Sequence, residues 1–211
     1  MLQPDYFKKA DETNDNLFYV QPRLVVHIDE GAIAATTDLY REYLPAYAEV
    51  LDLMSSWRSH LPPDVHYERV AGLGMNEVEL RENPRLTDFT VQNLNQNPRL
   101  PYRDATFDGC VCTVSVQYLT NPVVVFAEVA RVLRPGSPFV VTFSNRMFPT
   151  KAVAIWQSLD DRGHQKLVEL YFQQAEEFTD IEVLDRGPRG RWVGDPLFAV
   201  VGRRRVDESD D

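Results

Sequence analysis

Val50-Leu51-Asp52-Leu53-Met54 is apolar at all but one position, and this run constrains the fold more than any other feature of the chain. A strand with one wet face alternates apolar and polar side chains, whereas an unbroken run suits a parallel strand covered on both faces. Further strand-like runs follow at His66 to Leu73, about Asp88 to Gln92, Gly109 to Ser115, Phe139 to Phe143, Ile181 to Leu184 and Leu197 to Val201. Helical stretches separate most of them. The alternation predicts an α/β fold with a Rossmann-like, doubly wound sheet of seven strands and right-handed crossovers. A Gly/Pro/Arg-rich turn too short for a helix joins the final two strands. The sheet should therefore be mostly parallel with an antiparallel last strand.

Helix boundaries are marked as clearly. Asp29 caps a helix that runs to about Leu44, where Pro45 stops it. Asn76 caps a short helix, with Glu79 three positions on as its expected capping-box partner. Asn121 and Pro122 open another as capping side chain and first-turn proline. Its Phe126, Val129, Ala130 and Leu133 fall at i, i+3, i+4 and i+7, so one stripe is buried. A helical region covers roughly Thr150 to Gln174, where Trp156, Leu167, Leu170 and Tyr171 read as packing. The expected organisation is an N-terminal lid or helical extension over 1–45, a main domain over 46–205 and an acidic tail over 206–211.

Composition narrows the function classes. Lys and Arg number 22 against 32 Asp and Glu, a net charge of −10, which opposes the Lys/Arg-lined groove that nucleic acid requires. Arg203-Arg204-Arg205 is the only basic cluster, and it reads as a solubilising strand end. No apolar run approaches the ~20 residues of a membrane span, and the N-terminus is polar rather than signal-like. Cys110 and Cys112 lie on one strand, the four His are scattered, and no Cys/His set has zinc spacing. These features lead to an expectation of a reduced, soluble, cytoplasmic protein with no metal.

Three collinear stretches between Glu49 and Phe143 carry a family resemblance. They are Val50-Leu51-Asp52-Leu53, then Leu100-Pro101-Tyr102 with Phe107-Asp108, then Val129-Ala130-Arg131-Val132-Leu133-Arg134-Pro135-Gly136. Together they resemble the class I S-adenosylmethionine (SAM) dependent methyltransferases, specifically the small "type 11" domain. The resemblance implies a class I methyltransferase fold, SAM as cofactor and a small-molecule substrate. It places the cofactor at the carboxyl ends of strands one to four. It assigns cofactor contacts to Asp52, Ser55, Ser56, Gly74, Met75, Asn93, Leu94 and Thr113.

Three of those positions depart from the family pattern. The loop after strand one normally reads Gly-x-Gly, and here it is Met54-Ser55-Ser56-Trp57-Arg58. Ser55 and Ser56 are expected to offer hydroxyls to the cofactor carboxylate, with Met54 and Trp57 turned away. Gly74 stands where an acidic residue accepts from the ribose, with Asn76 or Glu77 as stand-ins, and restoring the acid by Gly74→Asp is expected to tighten binding. Asn93, followed by Leu94, replaces an Asp near the adenine.

On the substrate side the resemblance points to Tyr118 after strand four, Asn145 and Arg146 after strand five, and a lid segment around Phe18 to Arg23. Tyr19 and His27 are the acid/base candidates in that segment, with Tyr19 and Tyr118 taken as the catalytic pair. Methyl transfer is an in-line displacement governed by positioning, so a general base is required only if the acceptor loses a proton. The rival reading is an inactive methyltransferase-fold scaffold, in which Trp57 or Met54 occludes the crevice. A nicotinamide-dependent oxidoreductase is disfavoured, because no Gly-x-Gly-x-x-Gly turn is present.

Overall fold

The computed structural model describes residues 2–187 and 194–206. Its strands are β1 (Glu49–Leu53), β2 (Arg69–Gly74), β3 (Asp88–Val91), β4 (Gly109–Thr113), β5 (Pro138–Phe143), β6 (Phe178–Asp185) and β7 (Phe198–Arg204). Its helices are α1 (Asp15–Phe18), α2 (Glu30–Tyr43), α3 (Glu77–Arg81), α4 (Pro122–Val132), α5 (Ala154–Gln157) and α6 (Asp161–Ala175). The seven strands form one sheet in the order β3-β2-β1-β4-β5-β7-β6. Strands β3 to β5 pair in parallel, and β7 is antiparallel to both β5 and β6.

The unalternating runs are explained by cover on both faces. On one face Val50, Val70, Val111, Val140, Ala199 and Val201 pack beneath Leu39 and Tyr40 of α2. On the other, Leu51, Leu53, Leu73, Cys112, Phe139 and Val141 meet α4 and α6 through Phe126, Val129, Val168 and Phe172. Successive strand residues point to opposite faces, so β1 has no side that could carry a polar series. Each such large side chain taken out of water contributes about 1.5–3 kcal/mol, and this two-layer core far outweighs the cost of the one acid buried within β1, Asp52.

Several local expectations are corrected. Asn121 occupies the N-cap of α4 but makes no side-chain cap bond. Asn76 does cap α3, accepting from Glu79 N, yet the Glu79 carboxylate does not close the box: it accepts from Ser56 Oγ and Arg23 N instead. The helical region after β5 divides because the Asp160 carboxylate accepts from Gly163 N and starts α6 afresh. Arg204 and Arg203 donate to the Leu133 and Gly136 carbonyls, so this basic pair ties down the turn that follows α4. Residues 188–193 of the expected turn, and 207–211 of the expected acidic tail, lie outside the described residues.

Candidate functional site

Strand order reverses between β1 and β4: the chain leaves β1 toward β2 and β3 on one side, and leaves β4 toward β5 on the other. Loops diverge at such a switch point and leave a crevice at the carboxyl ends of the strands. A cavity of about 270 Å³ occupies it, walled by the loop after β1, the ends of β2 and β3, the turn after β4, the segment after β5 and the N-terminal stretch. Among the expected residues, Tyr19, Ser55, Ser56, Gly74, Met75, Asn93, Leu94, Thr113, Tyr118 and Arg146 line this cavity. Asp52 and Asn145 are not among the lining residues: Asp52 is buried behind the wall and Asn145 faces solvent.

The loop after β1 turns without glycine. Met54 takes φ 56°, the left-handed conformation that a glycine would adopt at less cost. Ser55 N then donates to the Leu73 carbonyl at 2.8 Å, which lays the loop against the end of β2. A Cβ built on Gly74 would strike the Ser55 carbonyl oxygen, so this close approach demands glycine at 74. Trp57 is swung clear of the cavity, its indole N–H donating to the Val25 carbonyl at 2.9 Å. The occlusion expected of an inactive scaffold is therefore not seen; Met54 lines the wall without closing the space.

The two serine hydroxyls do not aim their protons as expected. Ser55 Oγ donates to Asp52 Oδ2 at 2.6 Å, and Ser56 Oγ donates to Glu79 Oε2 at 2.6 Å. Each hydroxyl has one proton, so both present acceptor lone pairs to the cavity rather than donors for a carboxylate. Ser59 Oγ also donates to Asp52 Oδ2, and burial pushes the Asp52 carboxyl up to about 7 against those two hydrogen bonds.

The expected ribose stand-ins are occupied elsewhere. Asn76 Nδ2 donates to the Tyr19 and Val20 carbonyls while its Oδ1 caps α3. Glu77 faces solvent and pairs with Arg81 at 2.6 Å. Glu79, two residues further along α3, is buried and lines the cavity. Sequence patterning marks it only as a capping residue. Asn93 Oδ1 accepts from Asn95 N, and its Nδ2 donates to Asn16 Oδ1, so it shapes the loop after β3.

Aromatic rings gather on the opposite wall. Tyr118 stacks on Phe148 with centroids 6.0 Å apart, and its hydroxyl accepts from Phe148 N at 2.9 Å. Phe18 and His27 meet Phe148 edge-on, and the Arg23 guanidinium lies 4.4 Å over the Phe18 ring. Burial raises both Tyr19 and Tyr118, so each stays a neutral phenol that donates a proton rather than abstracting one. Burial lowers His27, which leaves its imidazole neutral and able to accept. Val114, just after β4, takes φ 43°, an uncommon conformation for a β-branched residue and a local strain beside the cavity. Arg146 Nε donates to Asp195 Oδ1 at 2.7 Å, and Asp195 exchanges backbone-to-carboxylate bonds with Asp29.

A buried ionic knot fastens the N-terminal stretch over this space. Lys151, with no exposed surface, lies 3.0 Å from Asp11 Oδ2 and 3.3 Å from Asp15 Oδ1, and Lys9 pairs with Asp15 at 2.7 Å. Asp15 also accepts from Asn95 Nδ2, and this ties the knot to the loop after β3. Sequence spacing carries no signal for Asp15 or Lys151, because Lys151 and its partners are about 140 residues apart.

Residues 64–141 match the family described as Methyltransferase domain. A 72-residue stretch is 31% identical to the biotin biosynthesis bifunctional protein BioHC of Teredinibacter turnerae, covering 34% of this chain and 13% of that protein. Methyltransferase phqN of Penicillium fellutanum is 35% identical over 78 residues, 34% of this chain and 24% of that protein. The matches thus span under a quarter of these curated relatives' own lengths. Among solved structures, a SAM-dependent methyltransferase from Thermotoga maritima superposes with a TM-score of 0.59 at 11% identity, covering 83% of this chain and 90% of that chain. The chain resembles class I methyltransferases, and its fold is the class I methyltransferase fold.

Proposed function

We propose that this chain is a SAM-dependent methyltransferase acting on a small molecule, with the cytoplasm as its compartment. The carrying observation is the cavity at the β1/β4 switch point, open between Ser55, Gly74, Met75, Asn93 and Leu94, with Trp57 turned out of it. The family match and the fold support the same reading. The residues present fit such a cofactor: Gly74 lets the loop after β1 close on β2 with Trp57 turned out of the cavity, and Leu73, Leu94 and Leu119 supply apolar wall for a nucleobase.

When bound, the cofactor supplies a methyl group on a sulfonium. Leu94 and the Asn93 loop would hold the adenine end, and the Met54-Ser55-Ser56 turn would hold the amino-acid end, where the serine lone pairs would suit its ammonium group. Residues 2–28 act as the lid, held by the Lys151 knot and by Trp57, and they exclude water from the acceptor. Tyr19 and Tyr118 orient the acceptor by donating hydrogen bonds, and His27 takes its proton where one must leave. Arg146 stands at the mouth. The net charge of −10 favours small molecules over nucleic acid.

The test is calorimetric titration and thermal shift with SAM and with S-adenosylhomocysteine. A ligand that binds only the native state raises the melting temperature. Heat and a shift at millimolar ligand are expected; neither, at that concentration, would end this reading.

A further inference from the structure

Position 74 cannot hold an acid, yet a buried carboxylate stands within the same wall. Glu79 reaches the cavity from α3, one turn beyond Asn76, alongside Gly74 and Ser56. Its Oε2 accepts from Ser56 Oγ at 2.6 Å and its Oε1 from Arg23 N at 2.7 Å. No Lys or Arg side chain pairs with it among the described residues, although it is only 8% exposed. A carboxylate has about four acceptor sites, so one remains on each oxygen. A buried carboxyl with no Lys or Arg partner has acceptor capacity to spare toward the cavity, and the other polar groups nearby cannot take its place. Asn76 is spent on the cap and on the Tyr19 and Val20 carbonyls, and Glu77 is outside with Arg81.

We propose that Glu79 is the ribose acceptor of this site, its two oxygens receiving the vicinal hydroxyls of a nucleoside, and that α3 here performs the task usually given to the end of β2. This rests on the methyltransferase reading. It accounts for two departures together: glycine at 74 lets the Ser55 carbonyl close on β2, and that closure brings Ser56 to Glu79 and orients the carboxylate. The N–H of Arg23, in the lid, completes the arrangement, so ribose recognition and lid closure share one side chain.

The experiment titrates the wild-type chain calorimetrically with S-adenosylhomocysteine, with its 2′-deoxy and 3′-deoxy analogues, and with 5′-methylthioadenosine. Because the protein is unaltered, folding cannot confound this arm. Loss of a hydrogen bond to a charged group weakens binding about ten- to a hundredfold, and each deoxy analogue should show that loss. Glu79→Gln, checked for its melting temperature without ligand, should weaken S-adenosylhomocysteine and 5′-methylthioadenosine alike and should no longer distinguish the deoxy analogues. Equal affinity of the wild type for parent and deoxy ligands would overturn the assignment while leaving the methyltransferase reading intact. So would a Glu79→Gln loss confined to S-adenosylhomocysteine, which would put the carboxylate at the amino-acid end. No binding of any of these ligands would remove the functional reading, and this assignment with it.

Discussion

The backbone of Gly74 and the carbonyl of Ser55 approach so closely that position 74 accepts no side chain. The strand-one loop leans on β2 through this contact and through the Ser55 N to Leu73 carbonyl bond. Gly74→Ala should therefore overpack against backbone, which cannot move aside like a side chain, and should cost about 1–3 kcal/mol in chemical denaturation. Gly74→Asp should cost at least as much and should weaken S-adenosylhomocysteine binding. A Gly74→Asp protein of unchanged stability with tighter binding would show that this contact is absent in solution.

Asp52 makes stability depend on pH. Its folded pKa, about 7, lies above the ordinary 3.8, so the folded state holds this proton longer than the unfolded chain does. The stabilisation is complete below the unfolded value and is lost as pH rises toward 7, each tenfold difference in proton affinity being worth about 1.36 kcal/mol. Ser55 and Ser59 both donate to Oδ2, so an amide oxygen placed there in Asp52→Asn keeps both bonds. The melting temperature of Asp52→Asn relative to wild type should climb between about pH 4 and pH 7. A flat difference across that range would place the Asp52 pKa near its ordinary value.

Lys151→Met removes the buried cation that Asp11 and Asp15 share. Breaking one side of a buried ion pair costs about 3–5 kcal/mol, because the remaining charge stays desolvated. Limited proteolysis should then cut residues 2–28 faster than in wild type. The exposed Lys8–Asp5 pair is the control, and Lys8→Ala should leave stability unchanged. Equal effects of the two substitutions would mean that the knot is wet.

Tyr118→Phe takes away the acceptor of the Phe148 N–H. The ring stacking survives, so the expected loss is near the lower end of the usual range for an unsatisfied donor, about 1 kcal/mol. Amide exchange at Phe148 should rise several-fold while exchange in β4 stays slow. Unchanged exchange at Phe148 would show that the bond is not formed.

Strand β1 is legible in the chain itself, because Val50, Leu51 and Leu53 leave no polar face, and the caps at Asp29 and Asn76 follow from side chains bonding within three residues. The split between α5 and α6 is not, since the Asp160 cap interrupts an otherwise continuous helical pattern. At the site, the lining positions follow from the strand ends. The serine hydroxyl directions do not, because Asp52 and Glu79 draw both protons away from the cavity.

Local patterning is enough to set the strands and their cover on both faces, because periodicity and capping involve each residue's neighbours in the chain. The place of the crevice follows from the strand order, which only the fold fixes. Which acid faces the cavity is settled only when the chain is folded. Glu77 and Glu79 are two residues apart on one helix turn, and the 3.6-residue period sends one to solvent with Arg81 and the other inward to Ser56 and Arg23. The same holds for Lys151, whose partners lie about 140 residues away. A contact between distant segments leaves no spacing to read, and the choice of partner is made by the fold that brings them together.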